Sequence, residues 1–463
     1  MTTTKIEVAE RELRRLVTSA VGRSFLKTLT EPITNSDSAL KRQAGVPHGA
    51  GLVPLILGLK ADDRVDTAAL KASIPKRPKR KVTVQVFTAS TAAQKARVCR
   101  ILDHGPGMTA AKLKEYFGVY ASAKAKGEQT RSLFGRGALD VLLYHQDSTI
   151  YSVSGGKLSV CRIHSDAPPR IDVDELGDAT PSRLRKFGLP TDMKVSGTVV
   201  SFRLHRNTHI PQSAEMPGRV SSFYMLRLIA ADPNTEIRIE QHRAAGIQSD
   251  RLQHDFPIGT VVGAFSDAVN LGKDGKLPVS ILVARADTPL HDDPTNRERR
   301  DNGLLFVDEN DAVLDLTLLP AYDGNPYLKH IYGLVQITGL RAVLEAKLEA
   351  DEPVAVLTER RDGFDRKHDM VKLLFGLVEK HVKAIYEREE KRQRKGEGKR
   401  SQKLAKRIRD ALKAINDFSS QETGEGGVAD PPVPERDEAI YFSLDKTKLF
   451  TGRPKSVRAF VNF

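Results

Sequence analysis

The sequence of 463 residues holds no run of about 18 consecutive apolar residues, so no segment reads as a bilayer-spanning helix. The longest candidate, GLVPLILGL from Gly51, is half that length and contains Pro54. The opening MTTTKIEVAE lacks the apolar stretch of a secretion signal. There are only two cysteines, Cys99 and Cys161, and both lie in strand-like runs. They are expected to be buried reduced thiols, which fits a cytoplasmic location. The 12 histidines are scattered, and neither HExxH nor CxxC spacing occurs, which removes the usual nuclease and zinc patterns. No internal repeat is visible.

Positive charge, by contrast, is abundant. The 73 Lys and Arg outnumber the 59 Asp and Glu, for a formal charge of +14. An excess of this sign favours a polyanionic partner and says nothing about fold. The length allows two or three domains with their own cores.

Four zones follow from the patterning. Residues 1–208 mix helical and strand text. A short strand is expected near Lys5 to Val8, then a helix on Leu13, Leu16, Val17 and Val21. Residues 43–80, rich in Gly, Pro and Lys, are expected to form an irregular, lid-like insertion. KVTVQVFT alternates Val82, Val84 and Val86 at period two and predicts a half-buried strand, and ARVCRIL predicts a second strand paired with it as a hairpin. A further hairpin is predicted around Gly155-Gly156, and a strand from Gly197 closes the zone. Residues 209–365 predict a second α/β region with strands TEIRIE, VSILVAR and NGLLFVD. Residues 366–418 read as a basic helical arm, with 13 Lys/Arg against 5 Asp/Glu over 383–413 and a break expected at the GEG of 396–398. Residues 419–463 read as a linker and a strand-like tail, which either pairs with the body or leads into further chain.

Within the first zone EPITNSDSAL, from Glu31 to Leu40, raises a chemical question. Glu31 and Asn35 are one helical turn apart on one face, inside an otherwise apolar helix of Phe25, Leu29, Ile33, Ala39 and Leu40. Downstream stand DHGPGMT (Asp103 to Thr109), SLFGRGALD (Ser132 to Asp140) and SGTVVSF (Ser196 to Phe202). Each is weak alone. Together, in this order and at element ends, they resemble the GHKL ATPase superfamily, which includes the DNA gyrase B subunit, Hsp90, histidine kinases, MutL and the MORC proteins. The layout is most similar to MORC-like prokaryotic ATPases.

That resemblance implies an α+β fold: a Bergerat-type ATP-binding sandwich over 1–208, an S5-like transducer over 209–365 and the basic arm. It implies ATP and Mg²⁺ as ligands. Glu31 becomes the general base and Asn35 the Mg²⁺ ligand. Asp103 becomes the adenine reader, with Gly105 and Gly107 under the base, Met108 packed on the ring and Thr198 beside it. Phe134, Gly135, Arg136, Gly137 and Ala138 become the phosphate loop and the start of its helix. Residues 115–134 become the ATP lid, with Ser122 and Lys124 as nucleotide contacts. Arg360 or Arg361, or Lys367, becomes the transducer's basic contact to the γ-phosphate. The family's aspartate position holds Ser38 here, with Asp37 one place early, and Pro32 stands where leucine or valine is usual. Pro32 is expected to bend the helix. No phosphoacceptor helix of the histidine-kinase kind precedes the motifs. The function implied is an ATP-gated homodimeric clamp on nucleic acid, DNA above all. The alternatives are an Hsp90-like chaperone and a non-hydrolysing ATP sensor.

Overall fold

The computed structural model describes residues 10–88, 97–119, 137–165, 169–293, 296–350, 356–360 and 362–423. Helices α1 (Glu10–Val21) and α2 (Phe25–Gln43) lead into α3 (Leu52–Leu57), β1 (Arg64–Val65) and α4 (Thr67–Ala72). Strands β2 (Arg80–Phe87) and β3 (Val98–Asp103) precede α5 (Ala110–Phe117) and α6 (Gly137–Tyr144). Then come β4 (Gln146–Ser154), β5 (Lys157–His164), β6 (Arg170–Asp178), α7 (Pro181–Lys186) and β7 (Gly197–Arg203). Short helices α8 (Met216–Ser222) and α9 (Arg227–Ala231) are followed by β8 (Thr235–Arg243) and β9 (Gly246–Leu252). The remainder is β10 (Gly259–Asn270), β11 (Lys276–Ala286), β12 (Gly303–Asp308), β13 (Val313–Thr317), β14 (Ile331–Ile337), α10 (Leu340–Glu349) and α11 (Asp369–Thr423).

The fold is α+β with two sheets. One has eight strands in the order β6-β5-β4-β7-β3-β2-β8-β9, the other six in the order β1-β10-β11-β14-β12-β13. Both sheets lie in one compact unit, Met1–Ile385, and a second unit spans Tyr386–Phe463. No helix among the described residues is long and apolar enough to cross a membrane.

Period-two patterning places the large sheet's faces. Val82, Val84 and Val86 on β2 and Cys99 and Ile101 on β3 join the main core, together with Phe25, Leu26, Leu29 and Ile33 of α2. Leu102, one residue on, belongs instead to a smaller cluster on the other face, with Val153, Leu158, Leu184, Met193 and Val199. Asp103 therefore shares the α2-covered face with Cys99 and Ile101. Both cysteines are free thiols, fully buried, and burial pushes Cys161 up to about 12.

Several sequence expectations are corrected. Residues 43–80 are not irregular throughout: α3 and α4 form there, because Leu52, Val53 and Ile56 place an apolar face in the main core, and β1 pairs with β10. The large sheet does not stop at residue 208. β8 pairs in parallel with β2, Arg80 opposite Thr235, because the segment through α8 and α9 supplies the crossover that a parallel pair needs. The GEG at 396–398 does not split the arm, since α11 is continuous over 55 residues. Glycine costs only about 1 kcal/mol in a helix interior, which flanking helix formers offset. The strand expected near Lys5 to Val8 and the tail beyond residue 423 lie outside the described residues.

Candidate functional site

Two rows of residues cross the α2-covered face of the large sheet. Ile101, Val200 and Ile150 are cross-strand partners on β3, β7 and β4, and they are apolar. Two residues along, the corresponding partners are Asp103, Thr198 and Ser152. The core thus gives way to a polar row at this end of the strands. Ser152 Oγ lies 3.2 Å from Thr198 Oγ1 and accepts from the Met108 N–H at 2.7 Å. Asp103 is 5% exposed. Its Oδ2 accepts from Ser36 Oγ of α2 at 2.7 Å and its Oδ1 from the Gly105 N–H at 2.8 Å. Burial raises the Asp103 carboxyl above its ordinary value, outweighing these two bonds.

Glycine is required at the turn after Asp103. Gly107 has φ +67°, and a Cβ there would stand 1.8 Å from the Val153 carbonyl oxygen. Gly105 packs against Ala39 of α2, with 3.4 Å between its ideal Cβ and that methyl.

The other end of α2 carries the second half of the site. Glu31 abuts the first residue of α6: a Cβ on Gly137 would stand 1.9 Å from Glu31 Cδ, so only glycine admits this approach. Glu31, Gly137, Asp140, Lys27 and Arg360 line one small cavity. Asn35 lies half-buried one turn beyond Glu31, and Ala138 follows Gly137 on α6. Glu31 and Ser36 are five residues apart, about 7.5 Å of helix, so α2 runs past both the cavity and the polar row.

Lys27 was not anticipated, although a signal was present: Lys27, Glu31 and Asn35 repeat at i, i+4, i+8 on one face. Its Nζ donates to the Arg360 carbonyl at 3.1 Å and sits 3.8 Å from Asp362. Burial holds its ammonium below the ordinary lysine value; the Asp362 and Glu298 carboxylates oppose this, and the Arg360 and Arg297 charges add to it.

The segment bearing Arg360 is itself anchored. Asp315 of β13 is fully buried and accepts from Arg297 Nη1 at 2.9 Å, from Arg366 Nη2 at 2.9 Å and from the Phe364 N–H at 3.1 Å. Arg297 also donates to the Asp362 carbonyl. The first turn of α2 is held by His145, whose Nδ1 accepts from the His205 N–H at 3.0 Å. Its proton therefore sits on Nε2 and is donated to Thr28 Oγ1 at 3.1 Å. Burial takes this imidazole down to about 3, so it is a neutral strut.

Asp37 points elsewhere. Fully buried, it faces Lys41 at 3.5 Å and Arg80 at 3.7 Å and accepts from Thr235 Oγ1 at 3.3 Å, tying α2 to β2 and β8. The structure thus groups Asp103, Gly105, Gly107, Met108 and Thr198 at one end, and Glu31, Gly137 and Arg360 at the other. Ser122, Lys124, Phe134, Gly135, Arg136 and Arg361 lie outside the described residues. Lys367 is described and donates its N–H to Asp365.

No curated protein sequence matches the chain. Residues 63–176 match the family described as histidine kinase-, DNA gyrase B-, and HSP90-like ATPase. That span runs from β1 into β6 and includes Asp103, Gly105, Gly107, Met108 and Gly137, while Glu31 and Asn35 precede it. Over residues 63–176 motif, fold and family match agree, and this part of the chain is similar to the GHKL ATPases.

Proposed function

We propose that the chain binds ATP with Mg²⁺ and hydrolyses it, and that the cycle opens and closes a homodimeric clamp on nucleic acid. The observation that carries the hydrolytic part is the convergence of Glu31, Lys27, Gly137 and Arg360 on one cavity. Glu31 is the general base, orienting the attacking water and receiving its proton. Lys27 and Arg360 offset the charge that develops on the γ-phosphate oxygens. Asn35 supplies one oxygen to Mg²⁺, a hard ion that takes oxygen ligands and keeps several waters. Among the described residues no group of three His, Cys, Asp or Glu is placed to hold a metal, so this donor set relies on phosphate and water oxygens. When bound, the ion neutralises phosphate charge. The second sheet, built mainly from β10 to β14, is the S5-like transducer in this reading, and Arg360 is its contact to the nucleotide.

At the other end Asp103 accepts from the adenine amine. Asp103→Asn replaces a charge-assisted bond with a neutral one, and ATP affinity should fall by roughly 1–2 kcal/mol, about tenfold. Calorimetry giving an unchanged Kd would move base recognition to another residue.

The nucleic-acid part rests on the charge of +14 and on the arm, where Lys403, Lys406, Arg407 and Arg409 are all exposed. The decisive experiment is ATP turnover with and without duplex DNA. A clamp gated by ATP should change its turnover severalfold on DNA. Identical rates, with no DNA retained at low salt, would leave an ATPase whose partner is something else.

A further inference from the structure

Beside the Glu31 cavity lies a larger one, of about 650 Å³, between α1, the turn into α2 and the segment holding Arg360. Its charge is lopsided. Among the described residues, Arg11, Arg14, Arg15, Arg23, Lys27 and Arg360 line it, with two carboxylates, Glu298 and Asp362. Arg15 is engaged by Glu12 at 2.7 Å and Glu359 at 2.9 Å, and Lys27 lies near Asp362. A cationic excess remains on the walls. The two cavities share Val21, Lys27 and Arg360, so these side chains form the partition between them.

We propose that this basic cavity is an oxyanion site that receives inorganic phosphate after hydrolysis, on the side of Lys27 and Arg360 away from Glu31. The inference rests on the ATPase reading above and extends it to the fate of the product. In hydrolysis the water oxygen bonds to the γ-phosphorus and the bond from that phosphorus to the bridging oxygen breaks. ADP, inorganic phosphate and a proton are released. The phosphate is then a free dianion or monoanion beside Lys27, with ADP blocking the way it came. The arginine-lined cavity is the adjacent space of matching charge. Guanidinium groups suit it, since their planar forks pair two donors with two phosphate oxygens.

The test uses the full chain and a double reversal, Arg11→Glu with Arg23→Glu, both on exposed residues outside the Glu31 cavity. With ADP saturating, inorganic phosphate is titrated by calorimetry against wild type, the reversal and an Arg11→Lys, Arg23→Lys control. Phosphate inhibition of turnover is measured in parallel. Wild type should bind phosphate. The reversal should weaken this at least tenfold and blunt inhibition equally, with ADP affinity unchanged, and the lysine control should keep most of the binding. ADP bound normally but phosphate bound equally by all three proteins would overturn the proposal. So would a reversal that loses duplex DNA while keeping phosphate, since the cavity would then serve a phosphodiester backbone. Failure of ADP to bind wild type would instead remove the nucleotide reading itself, and this inference with it. A shared thermal unfolding midpoint shows that the variants are folded.

Discussion

Glu31→Ala should cut ATP turnover by about 10²–10⁴-fold, the usual effect of losing a general base, while ATP still binds. Retained binding follows from where the other contacts lie. Asp103 and Thr198 sit on the polar row of the sheet, Met108 donates its N–H to Ser152 of that row, and none of them depends on the Glu31 carboxyl. Asn35 and Lys27 stay on α2, whose first turn is held by the Thr28–His145 bond and by its Ser24 cap. Truncating Glu31 removes the group packed against Gly137 and leaves a small void in a half-buried place, so the fold should persist. Single-turnover assays with radiolabelled ATP, beside equilibrium binding, separate the two effects. A variant that turns over like wild type would show that another group activates the water, with Asp140 as the neighbouring carboxyl to test next. A variant that no longer binds ATP would assign Glu31 to the pocket's integrity and not to the proton transfer.

The local parts of this site were legible because their chemistry is encoded within a few residues. Glu31 and Asn35 are one turn apart, and Asp103 closes a strand just before two glycines. The hairpins β2–β3 and β4–β5 were legible for the same reason: alternation and turn residues are local signals. What escaped was non-local. Nothing within TEIRIE says that it pairs in parallel with β2, about 150 residues earlier, because parallel partners are chosen by the crossover and the sheet edge. α3 and α4 escaped because six-residue helices carry too little periodicity to stand out among Gly and Pro. Lys27 was overlooked because a lysine on a mixed helix face reads as solvated. Only the fold brings the Arg360 carbonyl and Asp362 to its ammonium. Asp315 was equally silent: a single acid in VLDLT gains its meaning only when Arg297, Arg366 and the Phe364 N–H converge on it.

Reversing Lys403, Lys406, Arg407 and Arg409 together to glutamate should abolish most DNA binding and flatten its salt dependence. All four are exposed on α11 and follow the helical path through Gly396. Affinity for a duplex rests largely on counterion release, with a log–log salt slope of about 0.9 per phosphate neutralised. Each of the four that meets a phosphate should therefore remove close to one unit of slope, and a dimer doubles the effect. Reversal does more than remove the contacts, because four carboxylates then repel the backbone. Basal turnover should survive, since Lys27, Glu31, Asp103 and Arg360 all lie in the unit ending at Ile385, before the substituted residues. The exposed Leu404, 52% accessible beside half-buried Ile408, marks the apolar stripe along the same stretch, and that stripe is the expected seam with a second helix. Leu404→Ala with Ile408→Ala thus serves as the complementary variant. If the charge reversal binds DNA like wild type at every salt concentration while the apolar pair alters the oligomeric state, the arm is an assembly element and its lysines and arginines are only a solvated face. If the reversal loses DNA and the apolar pair keeps it, nucleic acid is read by the charged face of each arm singly, and no closed dimer is needed to hold it.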